Sequence, residues 1–442
     1  MKAYGIDFGT TNSLVSLWHD SQVEILPLET DDSPILRSVL YIHPEVGHLV
    51  GKQAIDAYLQ DVARGEPLKL VEKFTGKYIK VPKPMGIGGY RGEIQVPQVV
   101  MVEESNRGRL LQSLKSVLTT NYSGTELFGT FYTLEDLLTL LLSDIKTRAD
   151  KLVGENIESV VIGRPVKYVG KDNEKLALDR MTEVAKRAGF KKINFEFEPT
   201  GAALSYGQNG KSLIFDFGGG TLDISIVEFP SGEVLSVTGA PIGGDLLNTQ
   251  IIKAHILKYF GANVTFGHAK LAIPDSLMRS LENWYSISLL KTKSFLDSVE
   301  YIYSTANDKK PIQALKDLVI YNLGFMLFEE IDRVKKSLSL SQEEVIGFHQ
   351  QSISIDEIVS RSDFEESIDD LMARIDSCVN EALALAKLET AEIDQVVMTG
   401  GSSQIPIVRQ RLQDKFGISK VSEIDVFTSV VRGLGIRAGQ IG

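Results

Sequence analysis

The 442-residue chain reads as an α/β protein of two similar lobes that close on one nucleotide. Two copies of one short pattern carry that reading. The first is Gly5-Ile6-Asp7-Phe8-Gly9-Thr10-Thr11-Asn12-Ser13 and the second is Ile214-Phe215-Asp216-Phe217-Gly218-Gly219-Gly220-Thr221-Leu222-Asp223. Each is an apolar strand that ends in Asp and an aromatic residue, then runs into glycine and threonine. Glycines there let backbone N–H groups approach phosphate oxygens with no Cβ in the way. An Asp at a strand end can hold a hydrated divalent cation. A further glycine turn, Gly400-Gly401-Ser402-Ser403-Gln404-Ile405-Pro406, follows a buried strand and leads into a helix.

The elements follow in order. Strands are expected over Ala3–Ile6, Leu14–Trp18 and Val23–Leu26, a meander around the first glycine turn. Residues 28–110 look less regular, and Gly86-Ile87-Gly88-Gly89 reads as a loop or hairpin turn, having no Lys-Ser/Thr sequel. Leu134, Leu137, Leu138, Leu141 and Ile145 recur at helical spacing over 134–152. A buried strand at Ser159–Gly163 precedes a helix over 173–187 that stops at Ala188-Gly189. A strand at Ile193–Phe197 leads to Glu198-Pro199, where a helix begins, and the second glycine hairpin follows. Residues 270–340 read as almost wholly helical, with Trp284, Leu289, Leu290, Phe295 and Leu296 in a core or subdomain interface. Gln395–Thr399 is a buried strand, with a helix over 407–416, a strand near Val421 and a last helix from Ser429 to about Gln440.

Composition sets limits. At about 150 residues per domain the length corresponds to roughly three units. The apolar fraction is 43%, enough for a large core, and the net charge of −11 argues against a nucleic acid or an anionic membrane as the main partner. The single cysteine, Cys378, lies in a helical pattern, and no disulfide can form within the chain. The chain enters a strand at Lys2 with no leader-like segment before it, and its longest apolar run is too short to span a bilayer. A cytoplasmic protein is expected. No Gly-x-x-x-x-Gly-Lys-Ser/Thr and no Gly-x-Ser-x-Gly occurs. The histidines show no metal-ligand spacing, and His43 and His48 read as a solvated turn.

Taken together, Asp7 to Ser13, Gly163-Arg164-Pro165, Glu198-Pro199-Thr200, Asp216 to Thr221, Ile242-Gly243-Gly244-Asp245 and Gly400 to Pro406 form an ordered series. It resembles the nucleotide-binding domain of the heat-shock protein 70 chaperone family, in the actin-like ATPase superfamily. The resemblance covers nearly the whole chain and is weakest at 28–110 and 265–325. It implies an actin-like ATPase fold, two RNase H-like lobes around a nucleotide cleft. Lobe I would span 1–208 and lobe II 209–423, with a helix over 424–442 returning to lobe I. The sequence stops where that domain stops, so a free-standing nucleotide-binding domain of the short YegD-type branch, without a substrate-binding domain, is expected. Its implied ligands are ATP or ADP, Mg²⁺ and K⁺, and its implied output is a nucleotide-dependent lobe rotation read by a protein partner or client.

Phosphoryl transfer needs charge neutralisation, positioning and a group that orients the attacking water. Asp7 and Asp216 are the candidates for Mg²⁺, through its waters. Gly9, Thr10, Thr11, Asn12, Gly218, Gly219, Gly220 and Thr221 offer N–H groups and hydroxyls to the phosphates. The resemblance puts Glu198 on the hydrolysis side, a position that also suits a plain helix-start carboxylate. It also implies a lysine near the terminal phosphate. Lys115 is the preferred match, while Lys73 keeps the family's spacing to a glycine. Gly243 and Gly244 belong to the same implied site, and Gly400, Gly401 and Ser402 resemble the turn against adenosine. Asp332, Lys335, Lys336 and Ser339 resemble a Glu-x-x-Lys-Arg-x-x-Ser segment beside the nucleoside, with Asp for Glu and Lys336 for Arg. Ser403 and Gln404 replace Thr and Arg, and Phe427 replaces an Asp.

The leading expectation is a chaperone-like protein that binds ATP and hydrolyses it slowly. A small-molecule kinase or phosphatase of the same fold, a filament-forming relative and a nucleotide-sensing pseudo-ATPase stay open beside it.

Overall fold

A computed structural model describes residues 2–29, 31–65, 67, 70–82, 93–103, 108–165, 173–206, 209–422 and 428–441. Two sheets with one topology organise the molecule. In the first, β1 (Ala3–Phe8), β2 (Asn12–His19) and β3 (Gln22–Ile25) form an antiparallel meander, and β4 (Ser159–Arg164) and β5 (Lys192–Phe197) extend it in parallel from β1. In the second, β6 (Gly210–Phe217), β7 (Leu222–Phe229) and β8 (Glu233–Ala240) form the meander, while β9 (Gln395–Thr399) and β10 (Val421–Ser422) run parallel beside β6. The repeated hairpin of the sequence is therefore the β1–β2 turn of one sheet and the β6–β7 turn of the other.

Helices cover the sheets for readable reasons. Helix α1 (Leu134–Val153) buries its leucine stripe on the first sheet. It starts with a reciprocal capping box between Thr133 and Asp136 and ends at Gly154 in the left-handed region. Helix α2 (Glu174–Arg187) packs beside it. Helix α3 (Glu198–Tyr206) and the last helix of the chain, Ser429–Ile441, lie between the two sheets. Ala3 and Val161 of the first sheet, Ile214, Val227 and Val397 of the second, and Ala202, Val430, Leu434 and Ala438 of these helices share one core cluster. The two helices approach closely: a Cβ on Gly433 would sit 1.7 Å from the Gly201 carbonyl oxygen, so only glycine fits there.

Three regions differ from the sequence expectation. The described part of residues 28–110 is more regular than expected: Val39–His43 pairs with Gly47–Val50 and Arg109–Gln112, a helix spans Lys52–Ala63, and Leu70–Pro82 pairs with Glu93–Glu103. The strands that pair Val39–His43 with Arg109–Gln112 are short and far apart in sequence, so no local periodicity announces them. The turn after His43 is the solvated turn expected, with residues 44–48 exposed, while His43 itself is buried and its Nδ1 accepts from the Glu45 and Val46 amides. A second hairpin, Glu343–Gln350 with Ile353–Ser360, follows the helical region. That region starts at Asp275, after a two-strand bridge at Thr265–Phe266 and Leu271–Ala272. Gly86 to Gly89 and Phe427 lie outside the described residues.

Five helices matter further for the site or the core, one of them met above. They are α4 (Gly244–Ile251), α5 (Gly324–Ser337), α6 (Asp369–Ala386, holding buried Cys378), α7 (Pro406–Phe416) and α8, the Ser429–Ile441 helix already placed. Among the described residues no helix is long and apolar enough to cross a membrane.

Candidate functional site in the cleft between the lobes

The two glycine turns face one another across a cleft of about 1320 Å³. Both sides are built from backbone. On the second side, the Gly218 amide donates to the Thr221 carbonyl (3.0 Å), and the Gly244 and Asp245 amides at the start of α4 donate to the Gly218 and Gly219 carbonyls (3.0 and 2.8 Å). Ser402 Oγ donates to the Gly218 carbonyl at 2.9 Å, which ties the third glycine turn to the second. The two sides nearly touch, because a Cβ on Gly219 would lie 2.3 Å from Thr11 Oγ1.

Asp7, Gly9, Thr10, Thr11, Asn12, Lys115 and Glu198 line the cleft from the first lobe. Asp216, Gly218, Gly219, Gly220, Thr221, Gly244, Asp332, Lys335, Lys336, Ser339, Gly400, Gly401 and Ser402 line it from the second. Gly243 does not line it. Its Cα packs on the second turn, where a Cβ would meet the Gly219 carbonyl oxygen at 2.3 Å. Lys115 Nζ donates to Glu198 Oε1 at 2.8 Å, and Glu198 is also the first residue of α3. Lys73 lies on the strand Leu70–Pro82 and its side chain is outside the described residues.

A family model described as Hsp70 protein matches residues 3–270 and 296–441. The chain belongs to the Hsp70 family. Hsp70 proteins bind ATP or ADP with Mg²⁺ and act on client proteins, and the two-lobed α/β architecture is their actin-like ATPase fold. Residues 271–295 lie outside the Hsp70 match, and from that stretch Trp284 enters the cleft wall, edge-on to Phe325 with ring centroids 5.4 Å apart.

The electrostatics of this Hsp70 cleft show what it is suited to hold. Burial, then the neighbouring Glu198, pushes the Asp7 carboxyl up to about 7 against the pull of Lys115. Burial raises Asp216 well above the usual carboxylate range, with Glu198, Asp223 and Asp7 adding to it. Burial likewise pushes Asp223 up to about 6, although Thr221 Oγ1 donates to it at 2.9 Å. Asp216 and Asp223 sit directly opposite in the β6–β7 ladder, where two like charges repel. Four carboxylates against one ammonium leave an excess of negative charge that a hard cation would neutralise. No group of three His, Cys, Asp or Glu among the described residues is arranged to hold a metal ion. Carboxylates that share a volume without converging fit hydrated Mg²⁺, which keeps most of its waters.

On α5, Lys335 and Lys336 both reach Asp332, at 2.7 and 2.6 Å, and Lys335 also donates to the Gly244 carbonyl at 3.1 Å. Burial works against the Asp332 charge, but the two lysines hold its carboxyl well below the usual range. The sequence motifs contain Asp223 and Asp245 without giving them a role, and they give none to Arg37, Asn248 and Glu329, which also line the cleft. The signal for Asp223 was its strand parity with Asp216 across the hairpin. For Arg37, nothing local in the sequence marks a cleft residue.

Proposed function

We propose that this Hsp70 family member binds one Mg-nucleotide between its lobes, hydrolyses ATP slowly, and reports nucleotide state to a protein partner. The observation that carries the proposal is the Lys115–Glu198 pair set among Asp7, Asp216 and Asp223 beside two facing glycine turns. Backbone amides of residues 9–12 and 219–221 bind and orient the phosphates. When bound, Mg²⁺ supplies charge neutralisation to the phosphate oxygens. Glu198 Oε1 is held by Lys115, and Oε2 is assigned to accept a hydrogen bond from the attacking water. Water oxygen then bonds to the terminal phosphorus as the bond to the bridging oxygen breaks, and the water proton ends on phosphate. Lys115 offsets charge on the transferred group. Asp332, Lys335, Lys336, Ser339 and the Gly400 turn hold the nucleoside.

A carboxylate held in the cleft by a lysine can orient water, and this pair favours turnover over nucleotide sensing alone. Single-turnover hydrolysis of Mg-ATP tests it. The parent should turn over slowly, and Lys115→Ala and Asp216→Ala should each lower the rate by about a hundredfold or more. A parent that binds ATP without turnover, or variants as fast as the parent, would remove the hydrolytic part.

A further inference from the structure

We infer that Arg37 senses the terminal phosphate: with a triphosphate bound, its guanidinium leaves Glu329 of the opposite lobe and takes up the phosphate. This inference rests on the nucleotide reading above and extends it to a residue outside the glycine motifs. Arg37 belongs to the short strand Leu36–Arg37, whose register sets it opposite Asn12, the residue that follows Thr10 and Thr11 of the first turn. The next residue anchors the same place, because the Ser38 amide donates to the Thr11 carbonyl at 2.8 Å. From there the side chain crosses the cleft. Its Nη2 and Nη1 donate to Glu329 Oε1 and Oε2 of α5, at 2.9 and 3.4 Å, and both residues line the cleft.

The present partnership is incomplete. Among the described residues the buried Arg37 Nε has no acceptor, and one of the two bonds to Glu329 is long. Burial works against the Arg37 charge, while Glu329 and, after it, Asp332 and Asp245 hold the guanidinium protonated. Glu329 is a third exposed, so it can return to water when released. A guanidinium fork fits carboxylate and phosphate equally in shape, and a terminal phosphate offers more charge and more acceptor oxygens. A diphosphate leaves the Glu329 pair in place. The link between the lobes is therefore made in the diphosphate state and exchanged in the triphosphate state.

Calorimetric titration of the parent, Arg37→Ala, Arg37→Lys and Glu329→Gln with Mg-ADP and with the Mg complex of the β,γ-imido analogue of ATP separates the possibilities. Arg37→Ala should weaken the triphosphate analogue by about ten- to a hundredfold. It should change ADP by no more than about threefold. Arg37→Lys should fall between, since it keeps charge but loses the fork. Glu329→Gln should bind the analogue as tightly as the parent or more tightly. Equal losses in Arg37→Ala and Glu329→Gln for both ligands would show a simple strap between lobes and overturn the inference, as would no change in either. A parent that binds neither ligand would overturn the nucleotide reading itself, and the inference with it.

Discussion

At the scale of single residues, the cleft buries carboxyl groups beside one another. Asp7, Asp216 and Asp223 are all raised, and each departs in the direction that disfavours ionisation. The consequence for stability has a definite sign. A carboxyl raised in the folded state binds more protons there than in the unfolded chain, so its contribution is full below the unfolded value and is lost as pH rises through about 6 to 7. A divalent cation reverses this by favouring the ionised carboxylates, so its binding expels protons. Thermal melts with and without Mg-ADP should therefore show a larger stabilisation at pH 8 than at pH 6. A stabilisation that is equal, or greater at pH 6, would mean these carboxylates do not meet the cation. The aspartates at the strand ends and the threonines beside them were legible from type and spacing. Arg37 was not, because its relevance comes from pairing with Asn12 and from reaching Glu329 some three hundred positions away.

At the scale of elements, the turns are what the sequence announced best. The glycine turns need glycine at named positions, and the close packing around them shows why. Gly400 has φ +79°, and a Cβ there would lie 2.5 Å from the Phe217 carbonyl oxygen and 2.7 Å from Asp216 Oδ1. Gly400→Ala therefore combines left-handed strain with a backbone clash, and it should cost on the order of 2–4 kcal/mol. Denaturant unfolding reads this directly, and nucleotide affinity should fall with it because Asp216 is displaced. A variant as stable as the parent would show that the turn relaxes freely. Helix α1 was legible through its leucine stripe and α3 through Glu198-Pro199. The Glu343–Gln350 hairpin was open to the same reasoning, since Ile346, Phe348, Ile353 and Ile355 alternate inward around its turn. The sheet of Val39–His43 with Arg109–Gln112 was not, because its partners are remote and each strand is only four or five residues long.

At the scale of the whole molecule, one topology occurs twice and the two copies face each other through α3 and α8. This arrangement makes a binding site that belongs to neither lobe alone. Tyr58 of the first lobe donates to the Asn322 carbonyl at 3.0 Å and packs edge-on against Phe325 of α5, so the lobes also meet at the far side of the cleft. The duplicated turn made the two-lobed plan legible, and the Hsp70 match agrees with it. The wall contributed by 271–295 lies outside that match and was visible only once Trp284 was placed. The central claim is that one nucleotide is held jointly by both turns. Calorimetric titration of Mg-ADP into the parent, into a first-turn variant (Thr11→Tyr) and into a second-turn variant (Gly219→Phe) tests it most directly. Joint holding by both turns means one site per chain in the parent and loss of binding in each variant, with both variants still melting cooperatively. Binding that survives in either folded variant, or two sites per chain, would contradict it.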